Sequence, residues 1–465
     1  MILIVNKNYE KLLFSMSEIK PLTDNFFDNV KVNDENKDIK KIVDEIHYAD
    51  LAEIINELEF EQRIYLIKLI DSDKTSDVLT ELDEDVRDKI LETLSVKEIA
   101  GEIKELDSDD AVDILSDLTD EKQEKVISFI KDESKTENIR ELLNYEEDTA
   151  GGLMAKELIS VSENWSVLKC LREIRKQAKD ITRVHSIYVL NRKKVLIGRL
   201  SLKDLITSPS KSKIQEIYIP KVDYVYVNDS ADEVAKLMSK YDLEAIPVVN
   251  NKIELLGRIT IDDIVDFIKD EAEEDYRLAA GIYNEVEADD SIFELTKARL
   301  PWLILGLFGG LGSVFILESF ESIMATKELR ALFFYTPLIA AMAGNVGVQS
   351  SAIVVQGLAN DVIKGSLISR LLKEIGLTLI NGLILSLILV VFGLIIKQPF
   401  DMSIAISSSM ILVIIVAALI GTSVPIILNK FGIDPAIATG PFITTGNDVI
   451  GILMFFFIAK IILGF

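Results

Sequence analysis

One acid stands in a polar run near the end of the chain, Thr444-Thr445-Gly446-Asn447-Asp448, which follows Asp434-Pro435-Ala436 and Gly440-Pro441. An earlier run reads Gly344-Asn345-Val346-Gly347-Val348-Gln349-Ser350-Ser351. Hydroxyl, amide and carboxylate oxygens are hard donors that suit a hydrated cation, and neither run holds a His or Cys to attract softer metals. The candidate ion-conducting residues are Asp448, Asn345, Gln349, Thr444, Thr445, Asn447 and Gly440. Gly440 joins them because a Gly-Pro step loosens a helix, which is tolerated where backbone lines a cavity. Asp448 is the acid well inside an apolar segment, so it faces water or a partner, or sits protonated between helices. Gly344 and Gly347 also fit close helix packing.

The elements that hold these residues are long and apolar. A bilayer-spanning helix needs about 20 mostly apolar residues, and five stretches qualify, near 300–317, 331–357, 375–396, 403–428 and 438–464. Lys297, Arg299, Lys364, Arg370, Lys373 and Lys430 flank one side, against Lys327, Arg330 and Lys397 on the other. That bias predicts a cytoplasmic N-terminus and a C-terminus outside. Met1–Lys11 lacks a signal-peptide pattern, so insertion is expected to rely on the later segments.

Charge divides the chain at the same place. The protein has 465 residues and a net charge of -25. Residues 299–465 carry eight acids against nine bases, and the preceding residues carry 67 against 41. An acidic soluble region thus precedes a nearly neutral membrane region, which excludes an ordinary soluble enzyme. Nothing basic is available to neutralise phosphates, so no nucleic-acid partner is expected. Cys170 is the one cysteine, leaving no intrachain disulfide or cysteine-based zinc site. His47 and His185 read as structural.

Two repeats organise the acidic region. Glu57-Leu58, Glu81-Leu82 and Glu105-Leu106 recur every 24 residues with apolar positions at helical spacing between them, which predicts two short helices per repeat stacked into a superhelix. The acids cluster within it, as at Asp107, Asp109, Asp110 and Asp113; such a run is ordinarily a solvated face. A second, gapless repeat of 59 residues aligns His185–Asn191 with Glu244–Asn250, and Gly198–Leu205 with Gly257–Ile264. Each unit reads as helix, strand, turn, strand and a helix starting at Ser201 or Thr260, which these hydroxyls can cap.

The second repeat resembles a tandem CBS-domain pair. In that family a hydroxyl and a carboxylate often hold a nucleotide, which here implies Ser201 with Asp204 and Thr260 with Asp263. Sequence leaves binding of ATP or another adenine nucleotide open. The whole order resembles the MgtE family of magnesium channels, carried by Asp148-Thr-Ala-Gly-Gly-Leu-Met154, Asp270-Glu-Ala-Glu-Glu-Asp275, Arg299-Leu-Pro-Trp302, the two membrane runs and Asp448. Val348 stands where the family pattern suggests Thr, and Gln356 where it suggests Arg.

The resemblance implies a multidomain chain: an unassigned extension at 1–40, an all-α acidic helical-repeat superhelix at 41–145, an α/β tandem CBS pair at 146–267, a linker helix at 268–298 and an α-helical five-span transmembrane domain at 299–465. It further implies a homodimer in the cell membrane, surrounded by lipid, that conducts magnesium along its electrochemical gradient. Cytosolic magnesium would close it by binding Asp232, Asp242, Asp263, Glu271, Glu274 and Asp275, with Asp109 and Asp113. Asp263 is claimed by both the nucleotide pattern and the ion site. The alternatives are transport of manganese, cobalt or another divalent cation, and a membrane-anchored nucleotide sensor. An enzyme has the least support, for no nucleophile–base pair is visible.

Overall fold

Helix starts recur at the interval read from the sequence. In the computed structural model, which describes residues 40, 43–179, 181, 183–284, 286, 290–321, 329–360, 363, 366–438 and 440–464, the first unit runs to Phe267 and the second from Ile268. The expectations for most of the N-terminal extension and for Lys327 and Lys364 lie outside the described residues. From Tyr48 onward, eight helices follow one another among the described residues: α1 (Tyr48–Asn56), α2 (Phe60–Leu69), α3 (Ser72–Thr80), α4 (Glu84–Thr93), α5 (Val96–Ile103), α6 (Ser108–Ser116), α7 (Asp120–Phe129) and α8 (Glu133–Leu142). The odd-numbered ones begin at 48, 72, 96 and 120, so the 24-residue period is a helix pair. Ile55, Val78, Ile90, Ile99, Ile103 and Leu115 fill the interior of the stack. Ser95 and Glu98 cap α5 reciprocally. Lys122 Nζ donates to Leu91 O at 2.6 Å and Lys135 Nζ to Lys104 O at 2.9 Å, satisfying carbonyls at or just beyond the C-terminal ends of α4 and α5.

The second repeat forms two small mixed sheets. The first holds β1 (Ile159–Ser162), β2 (Ile187–Leu190), β3 (Leu196–Leu200) and β4 (Ile219–Pro220); the second holds β5 (Val225–Tyr226), β6 (Ala245–Val249) and β7 (Leu255–Thr260). The helices are α9 (Val167–Gln177), α10 (Leu202–Thr207), α11 (Ala231–Tyr241) and α12 (Ile261–Ala280). Ile187 faces Leu200 across β2–β3, and Ile246 faces Ile259 across β6–β7, a shift of 59 residues in both partners. A bulge interrupts each hairpin at the same repeat position, Val189/Leu190 and Val248/Val249.

Five apolar helices follow: α13 (Ile292–Ser319), α14 (Ala331–Ala359), α15 (Leu367–Ile395), α16 (Phe400–Lys430) and α17 (Pro441–Leu463). Each is long and apolar enough to cross a membrane. Most run past the apolar stretches seen in the sequence; at about 1.5 Å per residue, the longest outreaches a hydrocarbon core of about 30 Å. α16 is the most enclosed, with Ala405, Ile414 and Ala418 among its buried residues.

Candidate functional site

A cavity of about 330 Å³ in the membrane region is lined by Ala341, Gly344, Asn345, Val348, Gln349, Thr444 and Asp448. The five α14 residues recur at three- and four-residue steps and so share one helix face, and Thr444 and Asp448 are one turn apart on α17. Asp448 Oδ1 is buried with no hydrogen-bond partner. A carboxylate oxygen facing a cavity without a donor is arranged to receive a cation or its water. Two glycines let α17 approach. A Cβ at Gly344 would stand 3.2 Å from Asp448 Oδ1, and one at Gly347 only 1.8 Å from Asn447 Nδ2. Gly347 is backed in turn by Gly421 of α16, whose Cβ would lie 2.3 Å from Gly347 O.

Of the seven sequence candidates, Asp448, Asn345, Gln349 and Thr444 meet at this cavity. The other three do not line it. Asn447 is buried against Gly347, with both amide atoms unpartnered. Thr445 packs against Gly309 of α13, and Gly440 is the N-cap of α17, close to Ala279 O. The reason is helical: about 100° per residue turns 445 and 447 off the face that carries 444 and 448. Ala341 and Val348 were missed as lining residues, although helical spacing from Asn345 would have found both.

In the first unit α6 meets the segment leading into β1. Ser108 N and Oγ both donate to Glu157 Oε2, at 3.0 and 2.7 Å, and Ser108 Oγ accepts from Lys156 N at 2.8 Å. Arg258 of β7 reaches Asp107 Oδ2 at 3.2 Å. Carboxylate oxygens of Asp107, Asp109 and Glu157 lie within 4.8 Å of one another, a spacing that one divalent cation could bridge. Burial, then the charge of neighbouring Asp110, pushes the Asp109 carboxyl well up. Burial raises Asp110 to about 7, with Asp113 and Asp263 adding to it. Asp113, exposed on one side but protein-flanked on the others, is raised to about 6, chiefly by desolvation.

Of the remaining candidates Asp263 stays beside this cluster and the others separate from it. Asp263 accepts from Thr260 N and Oγ1 at 2.7 and 2.6 Å, so the second hydroxyl–carboxylate pair is closed on itself. Ser201 makes no capping bond. Asp232 pairs with Lys236 at 3.4 Å, and Asp242 ends α11 in the left-handed conformation with φ 51°. Glu271, Glu274 and Asp275 lie along α12, with Glu274 near Arg277 at 3.9 Å. Asp107 stood in the acidic run, whereas Glu157 gave no sequence signal, since folding alone brings it to Ser108 from 49 residues away.

Residues 336–458 match the divalent cation transporter family, 46–148 the MgtE intracellular N domain, and 150–211 and 214–270 the CBS domain. The chain is 33% identical over 424 residues to the magnesium transporter MgtE of Bacillus subtilis, covering 91% of this chain and 93% of that one. It is 36% identical over 323 residues to the magnesium transporter MgtE of Enterococcus faecalis, covering 69% and 71%. A crystal structure of the cytosolic domain of the Mg2+ channel MgtE in complex with ATP is similar at 34% identity and a TM-score of 0.47, over 49% of this chain and 93% of that one.

Two outcomes follow from the geometry. Gly347→Ala forces a methyl onto Asn447 and should destabilise the protein by about 1–3 kcal/mol, whereas Gly446→Ala, with open space around it, should not. Thermal unfolding in detergent tests this, and equal midpoints for both variants would dismiss the contact. The acidic cluster gives a pH dependence. Its carboxyls titrate above their ordinary value of 3.8 in the folded chain, so their contribution is full below about pH 4 and is lost as pH rises through 6 and 7. Without divalent ions the unfolding midpoint of the first unit should therefore fall between pH 5.5 and 8. Asp110→Asn with Asp113→Asn should flatten the slope; an unchanged slope would refute the assignment.

Proposed function

Because the chain belongs to the MgtE family of divalent cation transporters, we propose that it carries magnesium into the cell through the Asp448 cavity and closes when magnesium binds its acidic region. The unpartnered Asp448 oxygen facing an oxygen-lined cavity carries the reading. Magnesium gives up its water reluctantly. Asn345, Gln349 and Thr444 can accept from or donate to those waters, while Asp448 supplies charge, so the ion passes with its shell largely intact. The membrane potential supplies about 4.6 kcal/mol per 100 mV for a divalent ion, twice the unit-charge value. A homodimer would set two copies of Asp448 on one path. The basic flanks favour a cytoplasmic N-terminus in a multi-pass protein of the cell membrane.

For closure, an ion held by Asp107, Asp109 and Glu157 would remove the repulsion that Asp110, Asp113 and Asp263 now add to. Asp263 lies in the first turn of α12, and the other end of that helix abuts the mouth of the pore helix. Gly440 sits so near Ala279 O that a Cβ there would be 2.4 Å away, and Gly281 packs on Pro441. Glu271, Glu274 and Asp275 occupy the stretch between and would join the response, while Asp232 and Asp242 would act from α11. A nucleotide, if one binds, belongs at Ser201 and Asp204, because Thr260 and Asp263 are engaged with each other.

Flux through purified protein in liposomes, scanned over divalent cations, tests the reading. Wild type should show saturable magnesium influx and Asp448→Asn at least a tenfold loss; full activity of that variant would discard the pore assignment. With several millimolar magnesium on the side of the acidic region, influx should stop. Asp109→Asn with Glu157→Gln should keep it running, and normal closure would show that other acids do the sensing.

A further inference from the structure

Glu374 is another acid inside a spanning helix, and the transport reading leaves it unused. α15 begins at Leu367, so Glu374 lies two turns inside that helix, not in the loop the apolar pattern suggested. Its Oε1 accepts a hydrogen bond from Ser350 Oγ at 2.6 Å. Among the described residues no Lys or Arg forms an ion pair with it. Arg370, one turn earlier on the same helix, extends instead toward Gly357, where a Cβ would be 3.9 Å from its Nη1. An acid in a spanning helix with no ion-pair partner among the described residues calls for a role.

Helix geometry narrows that role. At about 100° per residue, Ser350 is turned about 140° around α14 from Asn345. The cavity-lining residues occupy the opposite side, and Ser350 itself is buried. Glu374 is therefore held behind the cavity wall, about one helix diameter (~10 Å) from its interior. That is too far for coordination, even through one water. Packed protein, not salt solution, fills the intervening space, so the field of the carboxylate crosses it with little screening.

We propose that Glu374 is an electrostatic positioning residue: its charge, fixed by Ser350, acts through α14 on a cation at Asp448 and raises that cation's occupancy without touching it. The proposal rests on the cavity being a cation path. It makes a demand that coordination does not, because a field acts in proportion to ionic charge. The logarithm of the affinity change must stand in the ratio 2:3 for a divalent and a trivalent ion.

The test uses the full chain in liposomes, with the KM for magnesium influx and the inhibition constant of hexaamminecobalt(III) measured side by side. Glu374→Gln keeps an acceptor for Ser350 and removes the charge. It should raise the magnesium KM on the order of a hundredfold, the Coulomb effect on a divalent ion at about 10 Å and an effective dielectric constant of about 20, and the cobalt complex's constant by the 3/2 power of the same factor. Glu374→Asp and Ser350→Ala, which keep the charge, should stay near wild type. Equal factors for the two ions, an unchanged Glu374→Gln, or a Glu374→Asp as impaired as Glu374→Gln would each overturn the proposal. Both constants are read from conducting molecules only, so a smaller folded fraction does not mimic the result. Absence of saturable influx in wild type would instead remove the transport reading itself.

Discussion

A half-buried carboxylate short of bases must find another partner, and both units of this protein hold such groups. Asp107, Asp109 and Glu157 crowd together where α6 meets the segment before β1, with Arg258 reaching Asp107 alone. Among the described residues Asp448 Oδ1 faces its cavity without a donor, and Glu374 accepts from one hydroxyl. Burial and mutual repulsion raise the free energy of the charged forms of Asp109 and Asp110, and a divalent cation relieves both at once. The same electrostatic condition therefore serves the proposed permeation and the proposed regulation, and what differs is how tightly the surroundings hold the acids.

In the membrane unit that hold comes from missing side chains. Gly344, Gly347 and Gly421 remove the volume that would keep α14, α16 and α17 apart, and the contact they permit fixes which face of α17 meets the cavity. Close packing here is thus a positioning device for Asp448. In the first unit hydrogen bonds do the equivalent work. Ser108 ties α6 to Glu157, and Thr260 fixes Asp263 at the start of α12.

Much of this was legible in the sequence. The 24-residue period became helix pairs starting at 48, 72, 96 and 120, and the 59-residue period reappears in strand register down to a repeated bulge. The five spans and Asp448 followed from hydropathy and from the isolation of one charge. Side-chain direction is less legible: Thr445 and Asn447 share the polar run with Thr444 and Asp448, but their helical phase turns them off the cavity face. Glu157 was invisible for a different reason: its neighbours come from another domain, and no periodicity records that meeting. Glu374 was displaced because hydropathy marks the apolar core of a span, whereas hydrogen bonding carries the helix on through polar residues at its ends.

The end of α12 has a mechanical side. Gly281 follows this 20-residue helix with φ at +74°, a backbone state that costs other residues strain, and it packs directly on Pro441. A helix is stiff along its axis, and here it is followed by a glycine seated against the rigid ring of Pro441, the first residue of α17. The junction has the form of a pushrod seated on a lever, in which compliance is minimal at the seat. Displacement of the C-terminal end of α12 would then be passed to the start of α17 instead of being absorbed at the seat.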